Sequence, residues 1–329
     1  MKTLVVAAVM LALGLSTSAG LAADLPVKAA PPPPAPAPSP WDVAFGGAMM
    51  NDYNFRGISQ SALRPSLYAY SELRYNATPS LQFYYGNSME SIDFANRAAA
   101  EVDFYGGVRP TFGPLALDVG GWYYWYPDGQ NFPGIVPAGT AFGTPNITCS
   151  NLFVGFNSAC NAAKGDQSFW EVYGKATYTF NDYVALTGDV FYDPSWLNSG
   201  APGTYASGIL KLTAPGTWLP SGIGAYLSGE AGYYWLGTTD AFYGSIKLPS
   251  YATWNVGLGF TWKIFTLDLR YYDTNLSKSN CDVLTGDQNP TFSTGNISSI
   301  NPSGFGSAWC GAMFVAKFSA DLTVASNLK

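Results

Sequence analysis

A two-residue alternation of large apolar with small or polar side chains runs through most of this chain, and it constrains the fold more than any other feature. In the segment 251–262, even positions carry Trp254 and Leu258, whereas odd positions carry Asn255 and Gly257. Successive side chains of a β-strand point to opposite faces, so this pattern indicates strands with one apolar and one polar environment. The sequence therefore predicts an all-β fold.

The connections between the predicted strands separate into short and long ones. Four of them hold only about two to five residues, whereas 127–168 and 274–307 are long. Short periplasmic turns, long extracellular loops and many strands of about 9 to 14 residues are typical of an antiparallel transmembrane β-barrel. A soluble β-sandwich also alternates but gives no reason for this segregation. The twelve predicted strands are 41–50, 66–75, 81–89, 99–112, 115–126, 169–180, 184–193, 204–213, 224–237, 251–262, 265–273 and 308–319.

Aromatic residues lie at the strand ends on the apolar face, where a transmembrane barrel carries two girdles of amphipathic rings. One predicted girdle is at the short-turn rim and the other at the long-loop rim. The first comprises Trp41, Phe180, Phe260, Trp262, Phe265 and Phe318, and the second comprises Tyr123, Trp125, Trp170, Tyr192, Tyr233 and Trp235.

Composition excludes several classes of function. The chain contains no histidine, so mechanisms that need an imidazole base, including those of Ser–His lipases, are not available. Its net charge of −6 is opposite in sign to that of a nucleic-acid binder. The carboxylates Glu101 and Asp103 share one strand face and invite an acid–base hypothesis, but lumen charge is the simpler interpretation. We expect no enzymatic activity and no cofactor.

The N-terminal residues are typical of an export signal. Lys2 precedes an apolar run that leads to small residues near Ala23, so we expect residues 1–23 to be a cleaved signal peptide. Residues 24–40 are rich in proline and are predicted to form an extended periplasmic linker. The barrel is predicted at 41–319 and a C-terminal tail at 320–329.

The chain contains four cysteines, an even number that favours disulfides in an exported protein. Four cysteines allow three connectivities. We expect the local pairs Cys149–Cys160 and Cys281–Cys310, because each pair brackets one polar, loop-like segment. No pair has CxxC spacing, so a zinc site is not supported.

If the large apolar face contacts lipid, the charged residues of the other face line the lumen. They would set solute selectivity in a water-filled pore, which we favour, or would pair with one another and fill the barrel as a structural core. By strand parity the predicted lumen residues are Glu72, Arg74, Glu101, Asp103, Arg109, Asp118, Glu171, Lys175, Asp189, Lys211, Glu230, Asp268 and Arg270.

The segment after the first strand carries a recognisable motif. It reads NDYNFRGISQS over 51–61, followed by Arg64-Pro65-Ser66, and it resembles the opening motif of the TorF family of bacterial outer-membrane porins. Weaker similarity continues in 120–127, 170–174 and 267–274. The motif residues are Asp52, Tyr53, Phe55, Arg56, Gly57, Ser59 and Gln60.

The resemblance implies an outer-membrane location and a pore, without naming a substrate. The expected function is passive diffusion of small hydrophilic solutes or ions, and the alternative is a structural or surface-interaction barrel with a plugged lumen. Expected partners are outer-membrane lipid, lipopolysaccharide and small solutes, and no nucleic acid. For Arg56 we weigh two roles: contact with an anionic solute or lipopolysaccharide phosphate, or a local pair with Asp52. The chain departs from the pattern of such barrels by ending in Lys329, and Phe318 is the candidate terminal aromatic residue.

Overall fold

A computed structural model describes residues 39–131 and 163–327. Twelve antiparallel strands form a closed barrel in which each strand pairs with its neighbours in the sequence and the first strand pairs with the last. The strands are β1 Trp41–Met50, β2 Ser66–Thr78, β3 Leu81–Glu90, β4 Glu101–Phe112, β5 Leu115–Trp125, β6 Phe169–Asn181, β7 Val184–Asp193, β8 Gly203–Thr213, β9 Ile223–Leu236, β10 Tyr251–Trp262, β11 Phe265–Thr274 and β12 Met313–Thr323.

This architecture confirms the predicted all-β, twelve-stranded barrel, and most strand bounds agree within a few residues. The predicted signal peptide, most of the predicted linker and the Cys149–Cys160 pair lie outside the described residues. Two short helices, α1 at Lys278–Leu284 and α2 at Val324–Asn327, lie outside the barrel wall. Within the ranges given above, no helix is long and apolar enough to cross a membrane.

The last strand is the main correction to the predicted bounds. It was expected at 308–319 but runs from Met313 to Thr323. Residues 308–311 instead belong to the preceding loop, where Cys310 is bonded to Cys281 as predicted. Closure also requires the longer strand, because β1 pairs with β12 from Ala44↔Thr323 to Met50↔Lys317. Residues 320–323 are therefore part of the barrel wall rather than of a tail.

The alternation predicted for β10 is present. The odd-numbered Tyr251 and Thr253 are buried in the lumen, whereas the even-numbered Trp254, Val256 and Leu258 are exposed on the outer surface. The same exposure of large apolar side chains recurs around the barrel, as an outer membrane requires of its lipid-facing surface. Other exposed members include Leu67, Phe83, Val119, Leu186, Val190, Leu210, Leu227, Leu267 and Phe318.

Glycines beside a tyrosine of the neighbouring strand let its ring lie flat against the inner wall. A Cβ added at Gly86 would come within 2.4 Å of the Tyr105 ring, and one added at Gly232 within 2.3 Å of the Tyr205 hydroxyl. These glycines are therefore sites of close ring packing against the backbone. The pairing helps to account for the combination of 36 Gly with 22 Tyr in one chain.

Because Leu258 is assigned to the lipid-facing surface, the effect of a charge at this position on the free energy of unfolding can be predicted. Leu258 lies near the middle of β10, so Leu258→Arg should lower the free energy of unfolding by about 2–4 kcal/mol because the cation would face the bilayer midplane. Leu258→Met, which keeps the side chain apolar, is the matched control and should change it by less than about 1.5 kcal/mol. Urea unfolding in lipid vesicles would measure both, and equal stabilities would contradict the assignment.

Candidate functional site

The first long loop forms a tight hairpin. Asn54–Phe55 pairs with Ile58–Ser59, and Arg56 and Gly57 form the two-residue turn between them. Both turn residues have positive φ, +49° and +87°, as a type I′ hairpin turn requires. We call residues 52–61, which contain this hairpin, the plug.

Bonds within the plug hold its shape. The buried Asp52 carboxylate accepts hydrogen bonds from the hydroxyls of Ser59, at 2.5 Å, and Ser61, at 3.0 Å. Burial raises the pKa of the Asp52 carboxyl above its ordinary value, although these two bonds oppose the shift. The amide of Gln60 donates to the Tyr53 carbonyl at 2.7 Å. The polar residues of the motif thus serve the local fold of the loop.

Arg56 fastens the tip of the plug to the barrel wall. Its Nη1 and Nη2 atoms donate to Oε1 and Oε2 of Glu171 on β6, at 2.7 and 2.9 Å. Their side chains are 6% and 0% exposed. Burial alone would lower the pKa of the Arg56 guanidinium, but Glu171 outweighs that effect and raises it, so the cation is retained. Four rings lie 4.5–4.9 Å from the guanidinium carbon, namely Phe55, Phe191, Tyr205 and Tyr234.

Three further contacts attach the plug to the lumen wall. The Tyr53 hydroxyl donates to Oε1 of Glu101 at 2.6 Å, and the Tyr251 hydroxyl donates to the Arg56 carbonyl at 3.0 Å. Gly57 is pressed against β10 and β11, since an added Cβ would lie 2.3 Å from Thr274 Cγ2 and 2.5 Å from Thr253 Oγ1. Both this crowding and its positive φ favour glycine at position 57.

An apolar cluster built from the long loops covers the plug. Ile58 packs into it, and the amide of Ser59 donates to the Trp309 carbonyl at 2.8 Å. The disulfide between Cys281 and Cys310 is part of the same cluster. Other members contributed by loops are Phe94, Trp196, Leu248 and Leu284. The hydrophobic effect thus stabilises closure of the outer mouth of the barrel.

The predicted lumen charges face one another in networks. Glu72 accepts from Arg74 Nε at 2.6 Å and Arg109 Nη1 at 2.8 Å, and Arg109 Nε also donates to Asp118. On the opposite side, Arg270 donates to Asp268, Asn255 and Ser228, while Glu230 accepts from Tyr205 and Asn255. The remaining predicted residues are Glu101, Asp103, Glu171 and Asp189, which are buried, Lys175, which is half-buried, and Lys211, which is exposed beside the Tyr226 ring. Their role in selectivity stays a prediction.

Two polar cavities remain inside the barrel. One of about 440 Å³ lies beneath the plug and is lined by Arg56, Asp103 and Arg270 among others. A second of about 360 Å³ lies towards the short turns and is lined by Gln82, Arg109 and Asp118 among others. Lys175 lines both cavities. Polar space thus remains in the lumen, and a smaller cavity of about 100 Å³, lined by Ile58, Phe94 and Trp196 among others, lies within the apolar cluster.

The structure corrects the local pair with Asp52 that was one of the two roles weighed for Arg56. Asp52 bonds to Ser59 and Ser61, and the ion-pair partner of Arg56 is Glu171. Arg56 is also buried within the barrel, and its contact with an anionic solute or lipopolysaccharide stays a prediction. The local spacing of Asp52 and Arg56 suggested a pair, but the turn at Arg56–Gly57 directs the guanidinium towards the wall. In the sequence, the only indication of this contact with the wall was an arginine flanked by Phe55 and a glycine.

A closed barrel with an apolar outer surface and aromatic strand ends defines the class of this protein: it is a bacterial outer-membrane β-barrel. A family model described as "Bacterial protein of unknown function (Gcw_chp)" matches residues 34–215, more than half of the chain. The chain therefore belongs to the Gcw_chp family. No curated protein matches it.

Several solved outer-membrane proteins are similar to the chain at low identity. OmpT, an outer membrane protein of Vibrio cholerae, is 11% identical over 87% of this chain and 99% of its own, with a TM-score of 0.35. The COG4313 outer membrane channel from Pseudomonas putida F1 is 11% identical, over 87% and 96%, with a TM-score of 0.39. The translocator domain of autotransporter NalP from Neisseria meningitidis is 9% identical, over 86% and 87%, with a TM-score of 0.39. These similarities are too distant to transfer any property to this chain.

The buried ion pair predicts a specific pattern of local stability. Arg56→Met leaves the Glu171 carboxylate buried without its cation and should reduce the opening free energy of the plug by about 3–5 kcal/mol. Arg56→Met combined with Glu171→Met should cost less than Arg56→Met alone, because no charge is left unpaired. Hydrogen exchange of the amides of residues 52–61 would measure both effects.

The matched control is the pair Arg64–Asp93, whose Arg64 side chain is 65% exposed. Arg64→Met should change plug protection by less than about 1 kcal/mol, because water already screens this pair. Similar losses in Arg56→Met and Arg64→Met would contradict the assigned role of Arg56.

Proposed function

We propose that this protein is an outer-membrane barrel with a plugged lumen and a structural or surface-interaction role, rather than an open diffusion pore. One observation carries the proposal: the plug is anchored inside the barrel by the buried Arg56–Glu171 ion pair. An open pore needs a continuous path for water, and the plug together with the apolar cluster occupies much of the outer part of the lumen.

The outer loops expose side chains that suit a surface-interaction role. The loop closed by Cys281–Cys310 exposes two large apolar side chains, Phe292 and Ile297, to solvent. A rigid, disulfide-closed loop holds such side chains in place, which lowers the entropy lost on binding. We propose no catalytic activity, because the chain has no histidine and Glu101 and Asp103 are buried beneath the plug.

A second candidate function is a gated channel for small hydrophilic solutes. The cavities of about 440 and 360 Å³ favour it, since both are lined by charged side chains on the inner side of the plug. The resemblance of the plug motif to TorF porins supports the same candidate. Here the networks around Glu72, Arg109 and Arg270 would set selectivity once the plug had moved.

Conductance of the refolded full-length protein in a planar lipid bilayer tests these candidates. We expect the wild-type protein to insert without discrete current steps, because the plug is tied to the wall by charge-assisted bonds. Discrete, salt-dependent steps from the wild-type protein would contradict the plugged barrel. Insertion of silent protein should be verified by its protection from added protease.

A plug variant separates the two candidates. If Arg56→Ala remains silent while folded, the plugged structural barrel is supported; if it conducts while Arg64→Ala stays silent, the gated channel is supported instead. In a conducting variant, adding Glu72→Gln should lower the cation-to-anion permeability ratio, because that change removes one negative charge from the lumen. Glu230→Gln removes a second lumen carboxylate and should lower the same permeability ratio.

A further inference from the structure

Three carboxylates meet at the outer end of the lumen. Glu90 at the end of β3 stands opposite Glu101 at the start of β4, and Asp103 follows Glu101 on the same face. One carboxylate oxygen of each residue lies within 4.8 Å of those of the other two. We call Glu90, Glu101 and Asp103 the acidic triad.

The acidic triad is buried, and a cation that lines the cavity beneath the plug, Lys317, attracts Glu90 without forming an ion pair with it. Exposures of Glu90, Glu101 and Asp103 are 9%, 2% and 2%. Across the part of the chain that the structure describes, no lysine or arginine forms an ion pair with any of them, whereas Glu72, Glu171 and Asp268 are each paired. Burying several carboxylates without compensation is very costly, so this cluster requires positive charge or protons.

The hydrogen bonds of the triad are incomplete in a way that points to a ligand. Glu101 accepts from the hydroxyls of Tyr53, at 2.6 Å, and Tyr126, at 2.7 Å, and Asp103 accepts from Ser88 at 2.8 Å. The buried atoms Glu90 Oε2 and Asp103 Oδ1 have no hydrogen-bond partner. Both side chains line the cavity beneath the plug. Two unsatisfied carboxylate oxygens in one cluster are what a bound cation would satisfy.

The donor set selects the kind of cation. Only oxygen atoms are offered, which suits hard cations such as Ca²⁺ and Mg²⁺ rather than Zn²⁺ or copper. Ca²⁺ accepts several carboxylates in a flexible coordination shell, whereas Mg²⁺ usually takes only one or two carboxylates and keeps several waters. Three convergent carboxylates therefore favour Ca²⁺.

We propose that the acidic triad binds one Ca²⁺ ion. Glu90, Glu101 and Asp103 supply its carboxylate ligands, and water from the adjacent cavity completes the coordination that Ca²⁺ needs. Tyr53 and Tyr126 orient the Glu101 carboxylate through their hydrogen bonds. This assignment does not rest on the proposed function, because the site would bind Ca²⁺ whether or not the barrel conducts.

Binding can be measured on the refolded full-length protein after treatment with EGTA. Equilibrium dialysis with radioactive Ca²⁺ should show one saturable site per chain. Terbium, which replaces Ca²⁺ in oxygen sites, should show luminescence sensitised by nearby rings and displaced by Ca²⁺, since Tyr53 and Tyr126 contact the triad. Absence of saturable binding up to roughly 10 mM Ca²⁺, well above the weakest extracellular sites, would overturn the proposal.

A matched variant elsewhere in the lumen distinguishes Ca²⁺ binding by the triad from a general effect of negative charge in the lumen. Glu90→Gln and Asp103→Asn should each weaken binding at least about tenfold, because each removes a charged ligand. Asp189→Asn should bind as the wild type does: Asp189 lines the same cavity and accepts from Ser207 at 2.7 Å, much as Asp103 accepts from Ser88. Equal weakening in all three variants would overturn the assignment.

Thermal unfolding of the wild-type protein keeps the proposal testable if a triad variant fails to fold. Saturating Ca²⁺ should raise Tm relative to EGTA, because the ion binds only the folded barrel. The same concentration of Mg²⁺ should raise it less. A Tm that does not respond to Ca²⁺ would contradict the site independently of any substitution.

Discussion

The ion pair between Arg56 and Glu171 joins the first loop to a strand 115 residues further along the chain, and the arrangement of the lumen depends on it. Two charges leave water, so the pair is favourable only with good geometry and further partners. Both are present: the contact is bidentate, and Phe191 and Tyr205 lie against the guanidinium. With Arg56 fixed, Ile58 on the next strand of the hairpin enters the apolar cluster of the outer loops.

The wall of the same lumen contributes side chains that occupy part of its interior. Its wall carries tyrosines whose hydroxyls reach carboxylates on other strands, as Tyr84 does to Asp118, Tyr226 to Asp268 and Tyr234 to Asp193. A tyrosine combines a large apolar ring with one polar tip, so it can fill space and satisfy a buried acceptor together. The plug therefore lies in an interior that the wall already partly occupies.

The barrel itself could be predicted from the sequence because its determinants are local. Alternation along β10 shows which face meets lipid, and the short connections, such as Lys263–Ile264, show where hairpins turn. The Arg56–Glu171 contact that holds the plug could not be predicted in this way. Asp52 and Arg56 are neighbours in sequence, whereas Glu171 becomes a partner only after six strands have set the barrel register. Strand parity predicted that Glu171 faces the lumen. It does not predict which residues of other strands or loops lie close to it.

The chemistry of the plug bears on the acidic triad as well. Arg56 neutralises Glu171, but at Glu101 the plug supplies only the Tyr53 hydroxyl, and a neutral donor cannot offset a negative charge. Burial and the three carboxylates together raise the pKa of Tyr53, so its proton stays on the hydroxyl. Because Glu90, Glu101 and Asp103 are buried, bulk water screens their charges little, which opposes their ionising together. A divalent cation there would satisfy the triad and, through Glu101 and Tyr53, hold the plug more firmly against the wall.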